Sequence, residues 1–497
     1  MKLSGLLLAE AASIVLAHGN VYPDVDESHS HAYDHKACGP EGLGDGSLRF
    51  SAADILWTGE TDVLNYYAAN NTSSHSQEDI NTPPGHNWSY TTPCFNSISS
   101  DDAFCVFTDT SYANGQGISF ITTAQRAAYL ASLPSFTSPS TTKLSPAKYT
   151  ISSIPGKGLG LIAIARIPRS SLILSSHPTL MMDYRVFDEL LRTDYISLQA
   201  AAISFLPQAH RSAFFNLSTQ SRNATATDEL SRIALTDTII TTNAFDVPPP
   251  PPPSPFNPSD PEQTDDLWYT VLASSISRLN HDCRPNADYR FDWNSIDQKN
   301  NKGLVQVVTA VRDILPGEEI TISYINPLKS RQARQKHLRT VWGFECSCEL
   351  CSRSKGRVEE SDRRVRLIKE LWRLLREEGK DDGSKVGRGE KEEQGRKTGS
   401  RRKGDKTKMA ELLVSLYEME GLWGMIFEAY AIAAREDNKV GEAWMAMKWA
   451  GLAVEYGAMV LGEGDEEVRE MKELARDPWG HGSWRSRKIG GYGGRIG

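Results

Sequence analysis

Along this chain the apolar positions change their period, and each change marks a different kind of element. The run FCVFTDTSYANGQGISFITT, residues 104–123, holds two β-prone stretches around Ala-Asn-Gly-Gln-Gly, which predicts a hairpin. KYTISSIPGKGLGLIAIARIPRSSLILSSHP, residues 148–178, alternates β-branched stretches with Gly- and Pro-containing turns and predicts three or so short strands. From 183 to about 240 the apolar residues of VFDELLRTDY and LQAAAISFLPQAHRSAFFNL recur every three or four positions, the helical period. VPPPPPPSPFNPSDPEQTDD, 247–266, lacks the amide donors of a helix or central strand and reads as an exposed polyproline loop. LVQVVTAVRDILPGEEITISYI then predicts two strands joined by a Pro-Gly turn.

Beyond residue 351 the pattern turns charged and helical, and the mixed-charge run near 378–408 reads as disordered. The segment from Ala410 to Leu461 carries the apolar stripes of three amphipathic helices, expected to pack antiparallel.

Charge and composition narrow the possibilities. The chain of 497 residues has a formal net charge of -8, so nothing globally basic argues for direct nucleic-acid binding. No apolar run approaches the roughly 18 residues that span a bilayer, so no membrane association is expected. The first residues, MKLSGLLLAEAASIVLAHGN, fit a secretory signal peptide cut after Ala17, although Glu10 interrupts the apolar run and a short amphipathic helix fits too. Asn-x-Ser/Thr acceptors at Asn70, Asn71, Asn87, Asn216 and Asn223 suit a secreted chain but are common by chance. Localisation therefore stays divided between the secretory pathway and the nucleus or cytoplasm.

The cysteines separate into two groups. Cys38, Cys94 and Cys105 are early; they read as buried apolar thiols, or Cys94 and Cys105 as a bridge in an oxidised chain. Cys346, Cys348 and Cys351 are spaced too tightly for mutual disulfides but suit thiolates around one metal. Three thiolates leave a tetrahedral zinc one ligand short, and Cys283, in SRLNHDCRPNADYRF, is the candidate for the fourth.

Beside Cys283, Asn280 offers an amide donor and acceptor and His281 two ring nitrogens, a pair able to grip a polar small molecule. Pro155-Gly-Lys-Gly-Leu-Gly160 would let backbone approach a ligand, or simply make a hairpin turn; a strand rather than a long helix follows, unlike a dinucleotide fingerprint. GEEITISY ends a strand at Tyr324, and WGFECSCELC sets Phe344 beside the late cysteines.

In this order PGKGLG, RLNHDCRPN, GEEITISY and GFECSCELC resemble the SET-domain protein methyltransferases over roughly 146–352, and with the helical tail most resemble a fungal SET-domain group. The resemblance implies an α+β fold: a β-rich SET domain with a helical insert, a post-SET zinc motif and an all-helical C-terminal region. The expected organisation is a signal peptide over 1–17, a Ser/Thr-rich region over 18–145 and a SET domain over 146–330 with insert 183–266. A post-SET motif over 331–352, a charged linker over 353–408 and a helical region over 409–497 follow.

By the same resemblance Lys157, Gly158, Leu159, Asn280, His281 and Phe344 hold S-adenosyl-L-methionine, Tyr324 is the catalytic tyrosine, and Cys283, Cys346, Cys348 and Cys351 bind a structural zinc. TTNAF, 241–245, is similar to a strand lining the lysine channel, which places Phe245 there. The implied activity is methyl transfer to a lysine of a protein substrate by a monomer; the alternative is a non-catalytic SET-derived peptide- or protein-binding module. A secreted scaffold with incidental homology is a third reading. Two positions depart from the family pattern: Asp282 stands where Ser is usual, and Asn326 where Asp is common. No MYND finger interrupts the insert.

Overall fold

A computed structural model describes residues 86–133, 136, 147–219, 229–249, 268–293, 304–376 and 406–486. The signal-peptide segment 1–17, Cys38, Asn70, Asn71, Asn223, nearly all of the polyproline run and most of the mixed-charge run lie outside these residues.

The strands, in chain order, are β1 (Cys94–Asn96), β2 (Ala103–Asp109), β3 (Ile118–Thr123), β4 (Tyr149–Ile154), β5 (Gly158–Ala163), β6 (Leu172–Ser176) and β7 (Leu180–Asp183). They continue with β8 (Phe245–Val247), β9 (Tyr269–Leu272), β10 (Asn280–His281), β11 (Ala287–Asp292), β12 (Val305–Ala310) and β13 (Glu319–Ile322). They form three sheets, ordered β1-β2-β3-β7-β9-β8, β10-β13-β5-β4 and β11-β12-β6.

The hairpin expected over 104–123 forms, with Phe104 opposite Thr123. Its tight turn carries Ala113 and Asn114 at positive φ, followed by Gly115 and Gly117. Along β2 the side chains alternate, and both sets are buried. Phe104 and Val106 face helices α2 (Arg192–Ser204) and α4 (Glu229–Asn243), while Cys105 and Phe107 face α1 (Ala124–Ser132). A strand covered on both faces reads as continuous apolar sequence, which is what FCVF is. Cys94 lies opposite Cys105 across β1 and β2, and the two form a disulfide. β3 pairs in parallel with β7, so residues 94–123 share one sheet with β7, β9 and β8, which follow PGKGLG.

The helical insert consists of α2, α3 (Gln208–Phe215) and α4 (Glu229–Asn243), with Leu198, Ala202 and Ile239 fully buried against the sheet. The two strands of LVQVVTAVRDILPGEEITISYI do not make a hairpin: β12 pairs with β11 and β6, and β13 with β10 and β5. The intervening residues 311–318 cross between sheets, with Ile314 bridged to Ile167.

After α5 (Arg331–Trp342), residues 355–376 within the charged stretch form a helix, α6 (Lys355–Arg376). Most of its charges face water, Arg364 excepted, while Val365, Ile368, Leu371 and Trp372 enter the C-terminal core at helical spacing. That core is completed by α7 (Lys406–Glu420), α8 (Ile426–Val440), α9 (Ala443–Val460) and α10 (Glu466–Arg476). It docks on the β-sheets through Arg169, which donates to Tyr456 Oη at 3.0 Å, and Arg290, which donates to the Met459 carbonyl at 3.0 Å. No helix among the described residues is long and apolar enough to cross a membrane.

Candidate functional site

Two cavities meet at the end of β13. The larger, about 540 Å³, is bordered by Lys157, Gly158, Leu159, Asn280, His281 and Phe344, all six residues singled out from the sequence for a cofactor. The smaller, about 30 Å³, is bordered by Phe245, Tyr289, Tyr324 and Trp342. Thr242, Asn243, Ser277, Tyr324 and Trp342 belong to both walls.

That shared wall is held by polar stitches between distant parts of the chain. Ser277 Oγ donates to the Asn243 carbonyl at 2.8 Å, and Trp342 Nε1 donates to the Thr242 carbonyl at 3.2 Å. TTNAF is divided: Thr241–Asn243 close helix α4, and the strand starts only at Phe245, whose ring packs edge-on against Tyr289 at 4.8 Å. Gly343, at φ 71°, ends α5 in the left-handed conformation and turns the chain so that Phe344 reaches the larger cavity.

The register of β13 explains why the RLNHDCRPN and GEEITISY motifs work together. β10 lies parallel to β13, with Asn280 opposite Thr321 and His281 opposite Ile322. The buried Asn286 side chain acts as one more strand partner: Nδ2 donates to the Glu319 carbonyl at 2.8 Å and Oδ1 accepts from Thr321 N–H at 2.9 Å.

His281 is not free to grip a ligand with both nitrogens. Nδ1 accepts the Tyr324 backbone N–H at 3.0 Å, and burial pushes the imidazole down to about 3, so the ring is neutral near pH 7. An accepting Nδ1 puts the remaining proton on Nε2, which lies 3.4 Å from Cys283 Sγ and donates to it. The ring therefore links the Tyr324 backbone to the thiolate cluster, and it borders the cavity without a spare nitrogen.

Tyr324 Oη donates to the Leu279 carbonyl at 2.6 Å. Burial, with the nearby Glu319 charge, pushes its phenol well above the ordinary value, so it stays protonated at neutral pH. It offers a fixed dipole rather than a base.

Cys283, Cys346, Cys348 and Cys351 are buried, with their Sγ atoms all within 4.8 Å of one another. A tetrahedral zinc with Zn–S near 2.3 Å requires sulfur–sulfur edges of about 3.8 Å. The Cys283 Sγ lies 3.9 Å from Cys346 Sγ and 3.6 Å from Cys351 Sγ, so the set fits that ion. Four thiolates around Zn²⁺ carry a net charge of 2−, and the buried Arg334 guanidinium, which interacts with Cys283 and Cys351, offsets part of it. Gln335 holds the loop by accepting from Cys346 N–H at 2.9 Å and donating to its carbonyl at 2.7 Å.

At the two departures from the family pattern, Asp282 Oδ1 accepts from Arg284 N–H at 2.8 Å, burial pushing its carboxyl up to about 7, and Asn326 Oδ1 accepts from Leu328 N–H at 2.8 Å. Sequence reasoning did not single out Tyr289, Trp342 or Ser277, and named Asn243 only as part of TTNAF. Tyr289 lies in the same quoted run as Asn280, and Trp342 directly precedes GFECSC, so proximity to the motifs was the available signal.

Residues 158–325 match the family model of the SET domain. Among curated proteins, histone-lysine N-methyltransferase SET5 of Meyerozyma guilliermondii is 40% identical over 118 residues, covering 23% of this chain and 23% of that protein. The Schizosaccharomyces pombe protein of the same description is 45% identical over 98 residues, 20% of this chain and 26% of its own. Histone-lysine N-methyltransferase SMYD3 of Homo sapiens is 33% identical over 115 residues, 20% of this chain and 24% of its own. The matches thus span about a quarter of each relative's length. A solved structure of the SET domain of LSMT bound to lysine and AdoHcy aligns at 13% identity and TM-score 0.28, covering 68% of this chain and 85% of that one.

Proposed function

We propose, since residues 158–325 match the SET-domain family model, that this protein is an S-adenosylmethionine-dependent protein-lysine methyltransferase with a structural zinc. The observation that carries the reading is the meeting of the two cavities at Tyr324 and Trp342, one roomy and partly polar, the other narrow and aromatic. Lys157, Gly158, Leu159, Asn280, His281 and Phe344 would border the cofactor, whose sulfonium supplies an electrophilic methyl group when bound. Cys283, Cys346, Cys348 and Cys351 would hold the zinc, which orders the cavity and takes no part in the chemistry.

The chain's own contribution is to the amine. A free lysine has a pKa of about 10.4 and attacks only as the neutral amine. Phe245, Tyr289, Tyr324 and Trp342 surround the narrow cavity with aromatic surface, which excludes water and disfavours the ammonium. Tyr324, fixed by its bond to the Leu279 carbonyl, orients the amine toward the larger cavity. The substrate is a protein that presents a lysine; histones are the first to test, since the relatives are named for histone lysines.

The test is transfer of labelled methyl groups from S-adenosylmethionine to histones and to a lysine-bearing protein library. Wild type should label a substrate. Tyr324→Phe, one oxygen smaller, should fold and bind cofactor with little change while turnover falls at least about tenfold, because the hydroxyl acts in the transition state. Cofactor binding with no labelling of any protein would overturn the enzyme reading in favour of a binding module.

A further inference from the structure

Asp246 is the middle residue of β8, one position after the Phe245 that borders the narrow cavity. Side chains alternate along a strand, so Phe245 and Asp246 leave β8 on opposite faces. Asp246 lies opposite Thr270 of β9, and Thr270 opposite Met182 of β7. Directly opposed residues share a face, and Met182 packs with the insert helices, so the carboxylate is on the insert side of the sheet.

The carboxylate is partly exposed, and among the described residues no lysine, arginine or histidine pairs with it. Burial pushes it up to about 7, opposed only by the neighbouring Thr270 hydroxyl. The Tyr184 and Tyr289 phenols are raised first by burial and then by nearby carboxylates, Asp246 among them. Tyr289 borders the narrow cavity, so the Asp246 charge is felt at that cavity although its side chain leaves the strand on the other face. A carboxylate in this setting is stabilised by a cation brought beside it.

The position of β8 says how such a cation could arrive. It is the outermost strand of its sheet and pairs, among the described strands, with β9 alone. An extended peptide can add to an edge of this kind and send alternate side chains to the two faces. A lysine that enters the narrow cavity must leave the added strand on the Phe245 face. The residue next to it in the peptide then leaves on the Asp246 face. With three residues in β8, the pairing covers little more than the lysine and its neighbours.

We propose that Asp246 is a specificity-determining residue, which pairs with an arginine or lysine directly adjacent to the target lysine of the substrate protein. The inference rests on the lysine-methyltransferase reading above, and it narrows the substrate class to proteins in which the target lysine adjoins a second cation.

The full-length protein is assayed with labelled S-adenosylmethionine on a peptide library. Each peptide has one central lysine, with arginine, alanine or glutamate directly before or after it and mixed lysine-free positions beyond. Wild type should favour arginine over alanine at one of the two neighbours by about fivefold or more in kcat/KM, as for a charge pair in a partly exposed site. The difference should lie in KM, because the contact is made equally before and during transfer. D246N, of the same size, should abolish the preference and leave alanine peptides within about twofold of wild type. D246K should reverse it in favour of glutamate. A purely structural role predicts equal losses on all three kinds of peptide, and that result would overturn the proposal. So would an arginine preference that survives D246N, or no arginine preference in wild type. If D246K does not fold, D246N alone decides. Wild type that labels neither this library nor any protein would overturn the enzyme reading, a separate result. Fluorescence anisotropy with the same peptides would then decide the Asp246 contact, by an arginine preference in binding that D246N abolishes or leaves unchanged.

Discussion

Glu420, at the end of α7, is where the helical region grips the RLNHDCRPN loop, and its removal should be costly. Its side chain is 2% exposed. Oε2 accepts from Arg284 Nη2 at 2.6 Å and from Ser361 Oγ at 2.6 Å, and Oε1 accepts from Arg364 Nε at 2.5 Å. Arg284 and Arg364 are themselves mostly buried, with side chains 13% and 16% exposed. Glu420→Ala therefore leaves the Arg284 guanidinium without its counter-charge in a poorly hydrated site, and Arg364 with Glu360 alone. Breaking a buried pair in this way costs about 3–5 kcal/mol. With a urea slope of about 2 kcal/mol/M, the midpoint for the helical region should fall by about 1.5–2.5 M, read by tryptophan fluorescence and circular dichroism. Glu420→Gln keeps one acceptor oxygen and should cost less.

The same carboxylate sets a pH dependence. Burial alone would push it up, but the hydrogen bonds and charges of Ser361, Arg284 and Arg364 outweigh burial and hold it below the ordinary glutamate value. A folded-state value below the unfolded one adds stability that is present above the unfolded value, near 4.5, and is lost as pH falls through the folded value. Wild type should thus lose urea resistance with acid in that window, and Glu420→Gln should lose less. A Glu420→Ala midpoint within about 0.5 M of wild type, roughly 1 kcal/mol at that slope, would refute the account.

Purified protein should carry one zinc per chain by metal analysis, and Cys348→Ala should lose it; a Cys346–Cys351 disulfide or a metal-free protein would contradict the cluster geometry. His281→Ala should weaken S-adenosylmethionine only through the loosened Tyr324 backbone, by less than the roughly 1–3 kcal/mol of a lost hydrogen bond to the ligand itself. Because the ring links Tyr324 to Cys283 rather than gripping the ligand, it should also speed zinc transfer to a chromogenic chelator; zinc release at the wild-type rate would break that link.

Much of the site was legible because its chemistry is local in sequence. The NHDC and CSCELC spacings place thiol-bearing residues where only loop closure is needed, and the PGKGLG turn declares itself through its glycines. The rest depends on contacts that no spacing encodes. Glu319 is one of two adjacent glutamates in GEEITISY, and only the pairing of β13 with β5 and β10 turns it toward Lys157 and Asn280. The tautomer of His281 follows from the backbone N–H of Tyr324, more than forty residues away. Helix α6 was legible as charged, helical sequence, but its buried face was not, since the charges of KGRVEESDRRVRLIKELWRLLR outnumber the four apolar residues that bury it. Strands β12 and β13 look like a hairpin in sequence because the Pro-Gly turn is strong, whereas the crossing of 311–318 between sheets is set by tertiary pairing.

The parallel pairing of β3 with β7 bears on how this protein can be cut. A fragment starting near residue 146 would contain every recognisable motif and still lose half of its largest sheet. The backbone amides and carbonyls of Leu180–Met182, now satisfied by Ser119–Ile121, would form a bare edge. Met181, fully buried beside Phe107 and Phe120, would face water. Such an edge recruits strands from other molecules, so a fragment trimmed to its motifs would tend to aggregate before its cavity could be tested. A cut that keeps the sheet whole falls before β1, at Cys94.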